Sequence, residues 1–423
     1  MFGDGMDALL IARLQFATTT SIHFLFVLVT LGLVTMLVYL QTAWAITGKA
    51  EYERLTQFWG TLYLINYALG IATGIVMEFQ FGLNWSGLSR YVGNVFGAPL
   101  AIETLAAFFL ESTFLGMWIF GWHRLRRGVH LALIWGVAIT AYASAYWVLV
   151  ANSWLQNPVG YRLENGVAHL TDFAALLTNP TLGMAFGHVV SAAVLTGGLL
   201  MAGISAYQLI RRTPDYALFR RSLRIGLVTA ALASTMVMGF GFSQFGAVGG
   251  VQPTKYGGDA EKSAIVSDWT TRFGPGDYTP PAWSNAALGF MILIGFALAW
   301  SWLLLPLLFR DWIIRLRFPL YLLLIAIPLP FVAGILGWLA REGGRQPWAA
   351  YGLLKVEDAV TPISSGVLLT SLIGFAVLLG ALAVTNWTLL ARRAHRGAHD
   401  LALGRPPHST DESGARPNHV LAG

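Results

Sequence analysis

Ile22-His23-Phe24-Leu25-Phe26-Val27-Leu28-Val29-Thr30-Leu31-Gly32-Leu33-Val34-Thr35-Met36-Leu37-Val38-Tyr39 carries no acid and no Lys or Arg. As a helix rising about 1.5 Å per residue, this run nearly matches the ~30 Å hydrocarbon core of a bilayer. It predicts a retained membrane span rather than a cleavable signal peptide, because no small-residue cleavage site precedes the polar loop that follows. Working outward, apolar runs of similar length begin near Thr18 (the run just quoted), Phe58, Pro99, Leu131, Leu182, Ile225, Ala286, Phe318 and Gly366. The fold class they predict is all-α, a polytopic membrane bundle of about nine transmembrane helices.

Composition agrees, with 56% hydrophobic and only 11% charged residues in 423, against roughly a quarter charged in soluble domains. The chain has no cysteine, which excludes thiolate-bound clusters, disulfides and covalent haem attachment through a Cys-x-x-Cys-His motif. A metal here has to be held by His, Met or carboxylate. The net charge of +6 is not a nucleic-acid signature, since the basic residues form short clusters between apolar runs.

Most of the 27 Lys and Arg fall on alternate loops. These carry Lys49 and Arg54, then Arg124, Arg126 and Arg127, then Arg211, Arg212, Arg220, Arg221 and Arg224, then Arg310, Arg315 and Arg317, and finally Arg392 onward. The bias predicts an outside N-terminus and a cytoplasmic C-terminus. Residues 1–395 are expected to form one bundle without internal repeats. The polar, Gly- and Pro-rich stretch 396–423 is expected to be a disordered cytoplasmic tail. The longest loop, 242–284, is expected to face outward.

Coordinating side chains inside spans are functional candidates by default. His23 lies just inside the first run and His188 just inside the fifth, each within about two to three turns of the outer surface. Neutral imidazole is a strong haem ligand, although a lone intramembrane His is as often an interhelical hydrogen bonder. Met291 sits at similar depth; most Met in apolar helices is packing, yet a His and Met pair also ligates haem iron. Glu103 and Glu111, two turns apart and about 12 Å along the axis, suit a proton relay, with hydrogen-bonded structural acids as the alternative. Glu78 can simply meet the interface. The stretch Trp338-Leu339-Ala340-Arg341-Glu342-Gly343-Gly344-Arg345-Gln346-Pro347-Trp348 gathers an acid, cations and aromatic rings that suit an iron, propionates and a macrocycle, though interfacial Trp and Arg are common anchors.

These segments resemble subunit I of the cytochrome bd quinol oxidases from the N-terminus through the ninth run. The resemblance rests on Ala12-Arg13-Leu14-Gln15-Phe16 with His23-Phe24-Leu25-Phe26, on Met77-Glu78-Phe79-Gln80-Phe81-Gly82 with Asn84-Trp85-Ser86, and on Phe96-Gly97-Ala98-Pro99-Leu100-Ala101-Ile102-Glu103. Phe108-Phe109-Leu110-Glu111-Ser112-Thr113-Phe114, Val150-Ala151-Asn152-Ser153-Trp154-Leu155-Gln156-Asn157-Pro158 and Gly344-Arg345-Gln346-Pro347-Trp348 continue it.

The resemblance implies a quinol:oxygen oxidoreductase, electrogenic without proton pumping, in the bacterial cytoplasmic membrane. It implies His23 as ligand of haem d (or of a third haem b), Glu342 as ligand of a high-spin haem b, and His188 with Met291 on a low-spin haem b. Glu111 and Glu103 would carry cytoplasmic protons with Ser144 assisting, while Arg13, Trp338, Arg345 and Trp348 would contact haems or propionates. Quinol and dioxygen are the implied substrates, and subunit II, a small accessory subunit and membrane lipid the implied partners.

Two positions depart from the family pattern. Val251-Gln252-Pro253-Thr254-Lys255 resembles the start of the quinol-binding loop, but the Glu expected after Lys255 falls at Val266, leaving Glu261 and Asp268 as substitutes. Gly289 stands where the family has an Arg near the low-spin haem. A haem protein of the same fold with a different electron donor is therefore the first alternative function. A proton-coupled transporter is the second, although the paired broken helices of such folds are not visible.

Overall fold

The computed structural model describes residues 7–399, 401, 403 and 404, without the side chains of 106 and 107. Among the described residues, nine helical stretches are long and apolar enough to cross a membrane, as the apolar runs predict. The first four stretches are α1 (Ala8–Thr47), α2 (Ala50–Leu83), α3 (Ser86–Ile102) continued through a π turn at Glu103–Phe108 into α4 (Phe109–Phe120), and α5 (Arg127–Gln156). A hairpin of β1 (Tyr161–Glu164) and β2 (Val167–Leu170) follows. Then come α6 (Phe173–Leu177), α7 (Leu182–Ile210) and α8 (Tyr216–Gly249). Two short helices, α9 (Pro253–Tyr256) and α10 (Asp259–Phe273), lead to α11 (Ala282–Ala299) and α12 (Ser301–Leu304). Last are α13 (Trp312–Arg315), α14 (Phe318–Ala326), α15 (Leu329–Gly343), a small ladder of β3 (Trp348–Ala350) with β4 (Leu354–Lys355), α16 (Val356–Ala359) and α17 (Ser365–Arg396).

The helices outrun their apolar cores because a helix satisfies its own backbone and can extend through polar flanks. Asp7 starts α1 by accepting from the Leu9 N–H at 3.0 Å. Gly48 ends it in the left-handed region at φ 67°, its N–H bonded to Trp44 O. The eighth span breaks between α14 and α15, where Pro328 and Pro330 remove helical donors.

Helix α1 is the hub, packing on α2, α5, α7, α15 and α17. Its crossing with α7 is made backbone to backbone: a Cβ on Gly32 would lie 2.3 Å from Ala193 O, and one on Gly197 would lie 2.6 Å from Gly32 O. Small residues are what lets apolar helices approach without a hydrophobic drive between them. Gly32→Ala is therefore expected to lower stability by about 1–3 kcal/mol, the usual range for overpacking. A melting temperature in detergent equal to that of the parent would show that the crossing can relax.

The arginine-rich end is tied by Arg54 to Asp215 at 2.7 Å, by Arg220 and Arg224 to Asp311 at 2.7 and 2.9 Å, and by Arg221 to Glu51. The segment 242–284, expected as the longest loop, is largely helical: α8 runs on to Gly249, and α9 and α10 follow. The polar residues of α10 lie on its exposed side, while Trp269 is buried against Trp348, with ring centroids 4.8 Å apart. Of the stretch 396–423 expected as a tail, Ala398 and Leu403 are buried on the bundle, and the Gly404 carbonyl accepts from His123. Residues 400, 402 and 405–423 of that stretch lie outside the described residues.

Candidate functional site

One cavity of about 1160 Å³ runs inside the bundle, larger than the roughly 300–1,000 Å³ of a pocket for a single small molecule. His23, His188, Met291 and Glu342 all line it, as do Glu103, Glu111, Ser144, Arg13, Trp338, Arg345, Trp348 and Lys255. The structure thus brings together side chains from α1, α4, α5, α7, α11 and α15 that are far apart in the chain.

Both histidines are held in one tautomer. Thr73 on α2 gives its hydroxyl proton to Gly70 O at 2.7 Å, so it accepts from His23 Nδ1 at 2.8 Å. On α7, His188 Nδ1 lies 3.0 Å from Val237 O, which can only accept. Each ring therefore carries its proton on Nδ1 and leaves the Nε2 lone pair free for a metal, as in metal-binding His whose other ring N–H is held by a protein acceptor. Met291 occupies the space left open by Gly337, where a Cβ would stand 2.6 Å from its sulfur.

Glu342 ends α15 in a dense polar net. Arg345 Nη2 donates to Glu342 Oε2 at 2.6 Å, while Asn152 Nδ2 and Gln156 Nε2 donate to Oε1 at 2.9 and 3.2 Å. Asn152 in turn accepts from Arg341 Nε at 2.7 Å, and Lys255 Nζ donates to Arg341 O at 3.1 Å. Loss of water around its head, aided by Arg341 and Arg345 and opposed by Glu342, brings the Lys255 ammonium down to about 7. Two guanidinium groups and the Lys255 amine here face one carboxylate, and along the cavity Arg13 Nε, Arg341 Nη2, Arg345 Nη1 and Trp348 Nε1 are buried without a hydrogen-bond partner. A buried surplus of donors and positive charge fits anionic groups of a bound molecule.

Glu103, at the first position of the π turn, accepts from Ser144 Oγ at 2.6 Å. The π turn inserts extra backbone between Glu103 and Glu111, and such turns concentrate at functional sites. Trp338 stacks on Phe24 with centroids 6.4 Å apart, and Trp348 is enclosed by Trp269, Phe273 and Tyr278. Glu261 and Asp268 are not brought to the cavity: they are exposed on α10, one bonded to Gly258 N at 3.3 Å, the other paired with Arg272 at 3.4 Å. Val266 packs beside the Trp269 aromatic cluster. Gly289 lies on an exposed face of α11, where a Cβ would meet nothing within 4 Å.

Thr73, Val237, Asn152 and Gln156 carry no assignment from sequence, although two intramembrane amides at i and i+4 in Asn152-Ser153-Trp154-Leu155-Gln156 are a signal that the spacing offers.

The fold and this chamber define a multi-pass membrane protein that can hold large prosthetic groups by imidazole, thioether and carboxylate. Over residues 11–271 and 264–398 the chain matches the family model of cytochrome bd terminal oxidase subunit I, and it belongs to that family. It is 36% identical, over 96% of its length, to cytochrome bd ubiquinol oxidase subunit 1 of Bacillus subtilis, covering 98% of that protein. Over 66% of its length it is 44% identical to cytochrome bd-II ubiquinol oxidase subunit 1 of Escherichia coli, covering 53% of that protein. Its fold matches the structure of bd oxidase from Geobacillus thermodenitrificans with a TM-score of 0.83 at 24% identity, over 93% of this chain and 100% of that one. The protein is accordingly a membrane-spanning oxidoreductase of the terminal oxidase type, in a family whose members carry haems and pair with a second subunit.

Proposed function

We propose that the protein oxidises quinol near the segment 242–284 at its N-terminal end and reduces dioxygen to water with protons taken from the opposite, arginine-rich end, in the cytoplasmic membrane of a bacterium. The observation that carries this reading is the pair of cavity-lining histidines, each with Nδ1 committed to a protein acceptor and Nε2 left free.

His188 and Met291 would hold a low-spin haem b, Glu342 a high-spin haem b, and His23 a haem d or third haem b. Bound haem supplies the redox iron that passes electrons from quinol to dioxygen. Arg13, Arg341 and Arg345 would offer their unsatisfied N–H groups to propionates, and Trp338 and Trp348 wall the chamber. Glu111 and Glu103 hold protons along the cavity wall, and Ser144 fixes the Glu103 carboxyl by its 2.6 Å hydrogen bond. Lys255 is the quinol-side cation that reaches the cavity. Because the exposed acids on α10 stand apart from it, a different electron donor on the same haem core is the second reading.

The experiment is a reduced-minus-oxidised spectrum with extracted-haem analysis on the protein purified with its partner subunit, followed by quinol-driven oxygen uptake. Three haems and quinol-dependent uptake are expected. Haem-bearing protein without quinol-dependent uptake would leave the different-donor reading, and a haem-free protein would overturn both.

A further inference from the structure

Glu111 is 6% exposed, and its Oε1 accepts from the hydroxyl of Tyr63 at 3.4 Å, a long contact for this type. Tyr63 is fully buried on α2, one turn nearer the arginine-rich end than Tyr67, and unlike Tyr67 it is not part of the cavity wall. The two rings stack, with centroids 5.7 Å apart. Tyr67 reaches Ser112, the residue after Glu111, with 3.3 Å between the hydroxyls. Two tyrosines at i and i+4 on α2 therefore grip two consecutive residues at the start of α4.

That start lies directly after the π turn at Glu103–Phe108. A π turn sets the rotational phase of everything that follows it, and its extra residue can be taken up or passed along the helix. Residues aimed into a cavity from beyond such a turn need an outside contact to fix their direction. Glu111 lines the cavity, and Tyr63 is that contact for it, while Tyr67 braces the neighbouring Ser112. One turn further down α2, Trp59 is also fully buried and bonded to Ser222, and both Trp59 and Tyr63 belong to the buried core of the bundle.

We propose that Tyr63 is a positioning residue for Glu111, holding its carboxyl through Oε1 so that Oε2 is presented to the cavity on the side of Glu103. The proposal rests on the reading of Glu111 as a proton carrier. Tyr63 acts through Glu111 and touches no substrate.

The test uses the intact haem-loaded complex and Tyr63→Phe, which keeps the ring packing and removes only the hydroxyl. Glu111→Gln assigns the infrared band of the protonated Glu111 carboxyl as the band it removes. In Tyr63→Phe this band is expected to move to higher wavenumber, because its C=O loses a donor, and turnover is expected to fall about tenfold, the factor that corresponds to about 1.4 kcal/mol. Haem spectra should match the parent. An unmoved band overturns the proposal, and so does parental turnover in Tyr63→Phe when Glu111→Gln is slow. Parental turnover in Glu111→Gln itself instead marks failure of the proton-carrier reading, and the band still reports whether Tyr63 orients the carboxyl.

Discussion

Glu342→Ala is expected to destabilise the protein by about 3–5 kcal/mol, the range for removing one partner of a buried ion pair. The side chains of Arg345 and Glu342 are only 8% and 15% exposed. Removing the carboxylate leaves the guanidinium without its 2.6 Å acceptor, and its Nη1 already has no partner. It also strands the amide donors of Asn152 and Gln156, which share Oε1. Lys255 and Arg341 then face Arg345 with no compensating charge among them. Glu342→Gln should fall between parent and Ala, because an amide oxygen can still accept from Asn152 while its NH₂ opposes Arg345. The check is the melting temperature of the purified protein together with the high-spin haem spectrum. An Ala variant that melts with the parent would show that water replaces the carboxylate.

The same net shows where sequence reasoning reaches and where it stops. Apolar run length anticipates the nine candidate spans among the described residues, because the requirement is one-dimensional: a helix in hydrocarbon must be apolar over its own contiguous length. His23, His188 and Glu342, which the structure places on one cavity wall, stand out in the sequence because ionisable or coordinating groups are rare in spans. Their partners do not. Thr73, Val237 O, Asn152 and Tyr63 are ordinary in composition, and become meaningful only when α1 meets α2, α7 meets α8, α5 meets α15 and α2 meets α4.

The π turn is likewise hidden, since no residue in Glu103–Phe108 itself breaks a helix. The segment 242–284 has the sequence of a loop because its polar residues hide a short helix whose one deep anchor, Trp269, sits on Trp348 some eighty residues on. The two departures from the family pattern also acquire physical content. Val266 contributes apolar packing to that aromatic cluster, and Gly289 faces away from the chamber.

His188→Ala is expected to abolish the low-spin haem signal and to reduce quinol-driven oxygen uptake by two orders of magnitude or more. Loss of a side chain that merely hydrogen-bonds a metal ligand typically costs about 10–100-fold, and here the proposed ligand itself is removed. The ring lies between α7 and α8, tied by Nδ1 to Val237 O, and a Cβ on Gly241 would stand only 3.1 Å from its Cε1. Gly241→Ala therefore serves as the graded companion: it crowds the ring without deleting it and should tilt the imidazole, perturbing the low-spin band while haem is retained. If His188 were instead a structural hydrogen bonder, Ala would lower the melting temperature and leave the low-spin band in place. Met291 supplies the contrast within the same chamber, since a thioether is a weaker donor than imidazole. Met291→Leu should retain a haem on His188 with an altered potential, whereas His188→Ala leaves Met291 alone, too weak a ligand to hold it.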